Sequence, residues 1–158
     1  MGRKLAVVLT LLIVSVNIGH VAGASSSSQV GRMFRNGPYK FQVTGVKCKI
    51  SWVGVGNSSL GKHPVGQFCR VSISYTNVSK IPVLIPGYYT VRDLRNRVYA
   101  ADNMADIYGN ASTMNANIEV NPGYGGTYRA FFDIPKGDSL ESFEFRHVYG
   151  SPGTEVRL

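Results

Sequence analysis

Only two cysteines and three histidines stand in this chain of 158 residues. That scarcity excludes much chemistry. A blue-copper site needs a Cys, two His and usually a Met gathered near the last strands. Here neither Cys48 nor Cys69 is followed by a His, and Met104 and Met114 stand far from both. No Cys-x-x-Cys pair is present for thiol exchange or metal binding. Past the first 24 residues the histidines are His63, before Pro64 in a Gly-rich loop, and His147, in phase with Phe143 and Phe145. Nucleophilic catalysis needs a His oriented by a third group, and no Gly-x-Ser-x-Gly setting accompanies either one. The expectation is a protein that is not an enzyme, with no cofactor and no metal; a secreted hydrolase fits the residues least.

Long apolar runs are missing too. The run Leu5–Ile18 is shorter than the roughly 20 residues of a bilayer-spanning helix and leads into small residues. No window of about 12 residues carries a convincing 3.6-residue period, which argues against a helical fold. The acids Asp93, Asp102 and Asp106 lack the Asp-x-Asp-x-Asp-Gly spacing of a calcium loop and read as solvated charge. Basic residues are scattered rather than clustered among aromatic platforms, so specific nucleic-acid binding is not expected.

What is present begins with an export signal. Arg3 and Lys4 precede the apolar run, and Ala22-Gly23-Ala24 closes it, the order of a cleaved secretory peptide. The reading is a signal over 1–24, a flexible leader over 25–38 and one domain over 39–158, secreted or associated with the cell envelope, with no transmembrane anchor after cleavage. Removing Arg3 and Lys4 from the 17 basic residues leaves 15 against 9 acidic, a formal charge of +6. Such a domain is drawn to anionic surfaces.

Within the domain the period is two. Phe41 and Val43 set one phase; Val46, Cys48, Ile50 and Trp52 set the other, with Gly45 at the slip where a bulge belongs. Cys69, Val71, Ile73 and Tyr75 alternate with polar residues, and short strands follow over 81–86, 88–93, 98–101 and 118–120. Tyr128, Ala130, Phe132 and Ile134 share a phase, as do Phe143 and Phe145, before Val156 and Leu158. Asp102–Gly109 is the one stretch suited to a helical turn, and Asn110–Asn117 reads as loop. About seven to nine strands with Gly, Pro and Asn punctuation predict an all-β, antiparallel immunoglobulin-like sandwich. Two cysteines of an exported chain, each on an apolar phase, predict a Cys48–Cys69 disulfide worth roughly 3 kcal/mol.

Tyr88, Tyr89, Arg92, Arg95 and Arg97 form the densest mixture of tyrosine and arginine, the composition of a protein-binding face. The leading expectation is a non-catalytic module that contacts an extracellular protein at the cell envelope or in a host. The alternative is a binder of an anionic envelope polymer or small ligand. Sequons at Asn57, Asn77 and Asn110 matter only in a host that glycosylates.

Several segments stand in a familiar order: Phe41-Gln42-Val43, Phe68–Asn77 ending in Asn-x-Ser-Lys, Asp93–Tyr99, Asn121-Pro122-Gly123, and Phe131–Gly137. Together they resemble the secreted bacterial immunoglobulin-like domains of unknown function, distantly similar to the mycobacterial immunoprotective extracellular antigen. The resemblance covers most of 39–158. It implies an immunoglobulin-like sandwich in a Gram-positive host, and no activity or site residues. The chain departs from the family pattern at Asn96, where Gly is common, and in lacking a Cys after the signal, which points to free secretion.

Peptide mapping of unreduced secreted protein is expected to yield a crosslinked Cys48–Cys69 peptide; free thiols at both positions would contradict the pairing.

Overall fold

The computed structural model describes residues 27–84, 87–111 and 119–158; the expected signal over 1–24, Ile85-Pro86 and most of the loop after Asn110 lie outside them. Twelve strands and one helix occur among the described residues. Strands β1 (Met33–Asn36), β2 (Tyr39–Ile50), β5 (Gln67–Asn77) and β10 (Gly125–Ile134) make one antiparallel sheet in the order β1-β2-β5-β10. Strands β7 (Tyr88–Asp93), β8 (Val98–Ala100), β11 (Leu140–Arg146) and β12 (Thr154–Arg157) make the second, in the order β12-β11-β7-β8. Short ribbons β3 (Val53–Gly54) with β4 (Gly61–Lys62), and β6 (Val83–Leu84) with β9 (Glu119–Val120), flank them. The chain crosses from β5 to β7, back from β8 to β10, and over again from β10 to β11. This is the crossing pattern of an immunoglobulin-like sandwich, with β1 as an added hairpin strand.

The core follows the alternation in the sequence. Phe41, Val43, Val71, Ile73, Ala130, Phe132 and Ile134 from the first sheet meet Tyr89, Val91, Phe143, Phe145 and Val156 from the second. The register shifts between Val43 and Gly45, where the period slips. A second shift between Lys47 and Ile50, with Lys49 at φ 63°, ends the phase earlier than expected. Trp52 consequently points outward, 38% exposed against the His63 ring, instead of into the core. Val46 stays opposite buried Val71 but is 39% exposed, because β1 reaches only as far as Gln42 and leaves β2 as an edge there.

The disulfide joins Cys48 to Cys69. Their neighbours Lys47 and Arg70 are paired, so the bond lies between adjacent strands of one sheet rather than spanning the two. Part of the expected leader is also strand: β1 pairs with Tyr39–Gln42. It is a short edge strand, with Phe34 stacked on Phe41 and Met33 and Arg35 exposed.

A sandwich has two open flanks, and each is closed differently. At one, the Gln29 N–H donates to the Arg157 carbonyl at 2.9 Å, and Asn36 Nδ2 donates to Thr154 Oγ1 at 3.0 Å, tying β1 to β12. At the other, edge strand β10 is covered by helix α1 (Asn103–Gly109). Phe68 and Phe131 break the alternation of their strands and are buried on the outer face with Ala105 and Val53. Gly109 permits that approach, because a Cβ there would fall 2.2 Å from the Phe131 ring.

The edge itself is closed by side chains. Every second residue of an edge strand turns both backbone groups away from its neighbour. For Phe131, the carbonyl accepts from the Asp102 N–H at 2.7 Å, and the N–H donates to Asp106 Oδ1 at 2.7 Å. For Arg129, the N–H donates to Asn110 Oδ1 at 2.9 Å, and the carbonyl accepts from Asn110 Nδ2 at 2.8 Å. Asp106 and Asn110 lie four apart, hence on one helix face. Asp102 caps the helix, its carboxylate accepting from the Ala105 N–H at 3.0 Å and pairing with Lys62 at 2.5 Å. Replacing Asn110 with Ala removes the partners of the part-buried Arg129 N–H and carbonyl, and should cost about 1–3 kcal/mol in urea unfolding. Asn57→Ala, in an exposed loop, should change stability by less than about 0.5 kcal/mol.

Candidate functional site

The alternation of β7 divides the expected tyrosine–arginine face. Tyr88, Thr90 and Arg92 point out, while Tyr89, Val91 and Asp93 point into the sandwich. Tyr89 is 8% exposed and stacks on Tyr128 and Phe143, with centroids 5.4 and 5.8 Å away. It therefore belongs to the core and not to a surface face, because a one-residue step in a strand reverses the side chain. Tyr88 is 53% exposed and packs edge-on against Tyr149, which is 84% exposed.

The arginines serve different ends. Asp93, 1% exposed, sits beneath the turn. Its Oδ1 accepts from the Arg95 and Arg97 backbone N–H groups, each at 2.9 Å. Its Oδ2 accepts from Arg97 Nε at 2.7 Å and from the Tyr99 hydroxyl at 3.1 Å. Burial alone raises a carboxyl, but the Arg97 backbone and side-chain donors, joined by Arg95 and Tyr99, outweigh it and hold Asp93 at about 2. Arg97 also pairs with Asp138, so it is a structural cation. Arg92 bonds Asn96 Oδ1 at 3.1 Å, and Asn96 takes the left-handed conformation expected of it, φ 60°. Arg95 remains largely exposed, 3.6 Å from Asp138. The turn thus holds Arg92 and Arg95 some 13 Å or more along the strand from Tyr88.

The histidines lie apart. His63 Nδ1 meets the Ser51 carbonyl at 2.8 Å, and His147 Nδ1 meets Asn36 Oδ1 at 2.7 Å. The Ser151 hydroxyl approaches that same His147 nitrogen at 3.4 Å, so it does not complete a relay through the ring. Among the described residues, no group of three or more His, Cys, Asp or Glu side chains is placed to hold a metal. Two of the three sequons are built into the fold. Asn77 and Asn110 are 0% and 1% exposed and fully engaged by backbone partners, and Asn57 alone stands exposed.

The feature the sequence did not reveal is a cavity of about 410 Å³ at the flank closed by α1. The start of β7 (Gly87, Tyr88, Tyr89), the end of β8 (Ala100) and Asp106 with Tyr128 surround it. Asp106 is 4% exposed. One oxygen holds the Phe131 N–H and the other accepts from the Tyr128 hydroxyl at 2.8 Å. No cation pairs with it among the described residues; Lys62 is taken by Asp102. Burial pushes the carboxyl up to about 7, with Asp102 adding to the rise and the Phe131 and Tyr128 bonds opposing it. Burial and the facing carboxyl likewise raise the Tyr128 phenol, and burial raises Tyr89 most of all its causes. A cavity of this size with aromatic walls and one displaced carboxyl has the features of a small-ligand site. The only trace in the sequence is Asp106 and Asn110 at helical spacing beside Ala105.

No protein-family model matches the chain, and no curated protein matches it significantly. Solved structures do. A conserved hypothetical protein from Bacillus anthracis aligns at TM-score 0.57 and 16% identity, over 82% of this chain and 95% of that one. The yjhA protein from Bacillus subtilis aligns at TM-score 0.55 and 14% identity, over 84% and 99%. An uncharacterised β-sandwich protein from Clostridium difficile aligns at TM-score 0.54 and 10% identity, over 82% and 91%. These likenesses show a fold shared with bacterial β-sandwich proteins; none bears on the relation to the mycobacterial antigen.

The Asp106 carboxyl carries a signed pH dependence. Its folded value near 7 lies above the ordinary 3.8, so the native state holds the proton more tightly than the unfolded chain. Its contribution to stability is complete below about pH 4 and is lost as pH rises through about 7. Asp106→Asn preserves an acceptor for Phe131 and removes the titration. The stability difference, wild type minus Asp106→Asn, should fall steadily between pH 4 and pH 8 in denaturant melts; parallel curves would contradict the assignment.

Proposed function

We propose that this chain is a non-catalytic, secreted immunoglobulin-like module that binds another protein at the cell envelope or in a host. The observation that carries the reading is the outer face of the β12-β11-β7-β8 sheet, which no other element covers among the described residues. There the Tyr88–Tyr149 ring pair stands exposed at one end of β7, and at the other end exposed Val98 lies opposite Arg92 on the same face. Tyrosine and arginine around an apolar centre are the residues that dominate protein contacts. The opposite sheet presents Lys40, Gln42, Ser72, Ser74, Thr76, Thr127 and Arg129 and is partly covered by α1, with no exposed aromatic pair among the described residues. The resemblance to secreted bacterial immunoglobulin-like domains, and to the mycobacterial antigen more distantly, supports the same reading, as does the signal-like start of the chain.

A second reading, an anionic envelope polymer as ligand, rests on the basic excess of the domain. The two differ in salt response. Contacts through scattered charge weaken beyond a screening length of about 8 Å at physiological ionic strength, whereas a desolvated aromatic contact persists.

A photo-crosslinking side chain at Tyr88, compared with one at Ser74, separates the two on the producing organism's envelope and culture fluid. A defined protein captured from position 88 alone, and retained at physiological salt, is the expected outcome. Tyr149→Ala should abolish that capture while shifting stability by less than about 0.5 kcal/mol, as an exposed side chain. Equal capture from both positions, or capture of polyanion alone that disappears with salt, would contradict the protein-binding reading.

A further inference from the structure

We propose that the cavity beside Asp106 binds a small primary amine, with the ammonium on the Asp106 carboxylate and the apolar body against Tyr88, Tyr89 and Ala100. The site differs from the outer-face reading, although Tyr88 borders both: it lies on the flank between the sheets and uses the carboxylate rather than the arginines.

The fold does not require a charge at this position. Edge strand β10 needs an acceptor for the Phe131 N–H, and the neighbouring Asn110 performs the same task for Arg129 with a neutral amide. A carboxylate in a desolvated place is the costlier choice. Buried charges are ordinarily paired, yet no cation faces Asp106 among the described residues. An ionised carboxylate offers about four acceptor positions. The Phe131 N–H and the Tyr128 hydroxyl occupy two of them, which leaves acceptor capacity beside the cavity.

The remaining lining selects the kind of cation. An ammonium carries three donors in a compact head, suited to one carboxylate with spare acceptors. Tyrosine rings attract cations through the negative charge of their faces and accept an aliphatic stem equally well. The small residues Gly87, Ala100 and Ala101 line the cavity beside the tyrosines and Asp106. About 410 Å³ holds an amine of modest size and is too small for a folded partner.

The test is an NMR titration of the full chain with butylammonium, butanol and butyrate, following the amides of Ala100, Ala101 and Phe131. Saturable shifts with butylammonium are expected, with butanol at least about tenfold weaker and butyrate silent. Asp106→Asn should lose the preference for the amine over the alcohol. Ala100→Phe, on an exposed edge strand, should block the cavity while the fold and the Asp106 titration persist. The groups facing Asp106 are Asp102 on its own helix, itself paired with Lys62 of β4, Tyr128 on β10 and Tyr89 on β7. Of these, Asp106 is the one that changes charge near neutrality, so butylammonium affinity should rise roughly 20-fold from pH 5.5 to 7.5. Butanol binding as tightly as butylammonium, unchanged amine binding in Asp106→Asn, or no saturable shift at all would each overturn the proposal.

Discussion

The hydrogen bonds between α1 and the edge of β10 are the constraint on which the rest of this molecule depends. An immunoglobulin-like sandwich ends in strands whose outward backbone groups need partners. This chain supplies them from a seven-residue helix, whose Asp106 and Asn110 side chains stand where a further strand would pair. A helix that short has little stability of its own, so it is held by what it covers. Phe68, Phe131 and Ala105 provide that apolar contact, and the two polar side chains set its register on the strand. The same placement carries Asp106 over the sheet edge to the Tyr128 hydroxyl, and so creates both the cavity wall and the displaced carboxyl.

A division of labour between the two sheets follows. The β1-β2-β5-β10 sheet has its outer face partly capped by the helix and otherwise lined with polar and basic residues, among them Lys40, Gln42, Ser72, Ser74, Thr76 and Arg129. Among the described residues the β12-β11-β7-β8 sheet leaves its outer face open, with Tyr88, Val98 and Tyr149 exposed. The arginine-rich turn between β7 and β8 is organised from within by Asp93, whose two oxygens hold the turn backbone, Arg97 and Tyr99. Charge visible in the sequence is therefore divided between cations held by the fold, such as Arg97, and cations that stay largely exposed despite a longer ion pair, such as Arg95 with Asp138.

The sandwich was legible wherever one face of a strand is buried and the other is wet. Phe41 and Val43, Cys69 to Ile73, Tyr128 to Ile134, and Phe143 with Phe145 all fall on the phase their alternation indicates. Gly45 marked its bulge and Asn96 its left-handed turn. The second irregularity at Lys49 was not legible, because lysine carries no signal for a positive φ, and Trp52 turned outward with it. Strand β1 was hidden because its four residues, Met33-Phe34-Arg35-Asn36, are too few to display an alternation. Tyr89 was misplaced because neighbouring tyrosines look alike in sequence while consecutive strand residues face opposite ways. The cavity was invisible for a deeper reason: Asp106 acts through groups on β10 and β7 that only the tertiary crossing brings near.

The central claim, that a desolvated carboxyl fastens the helix to the sheet edge, is tested most directly by a carbon-detected NMR titration of the side-chain carboxyls. Asp106 should titrate near 7, and the Phe131 amide and Tyr128 ring should move with the same midpoint. A midpoint at the ordinary carboxylate value of about 4, with the Phe131 amide unmoved, would contradict the account.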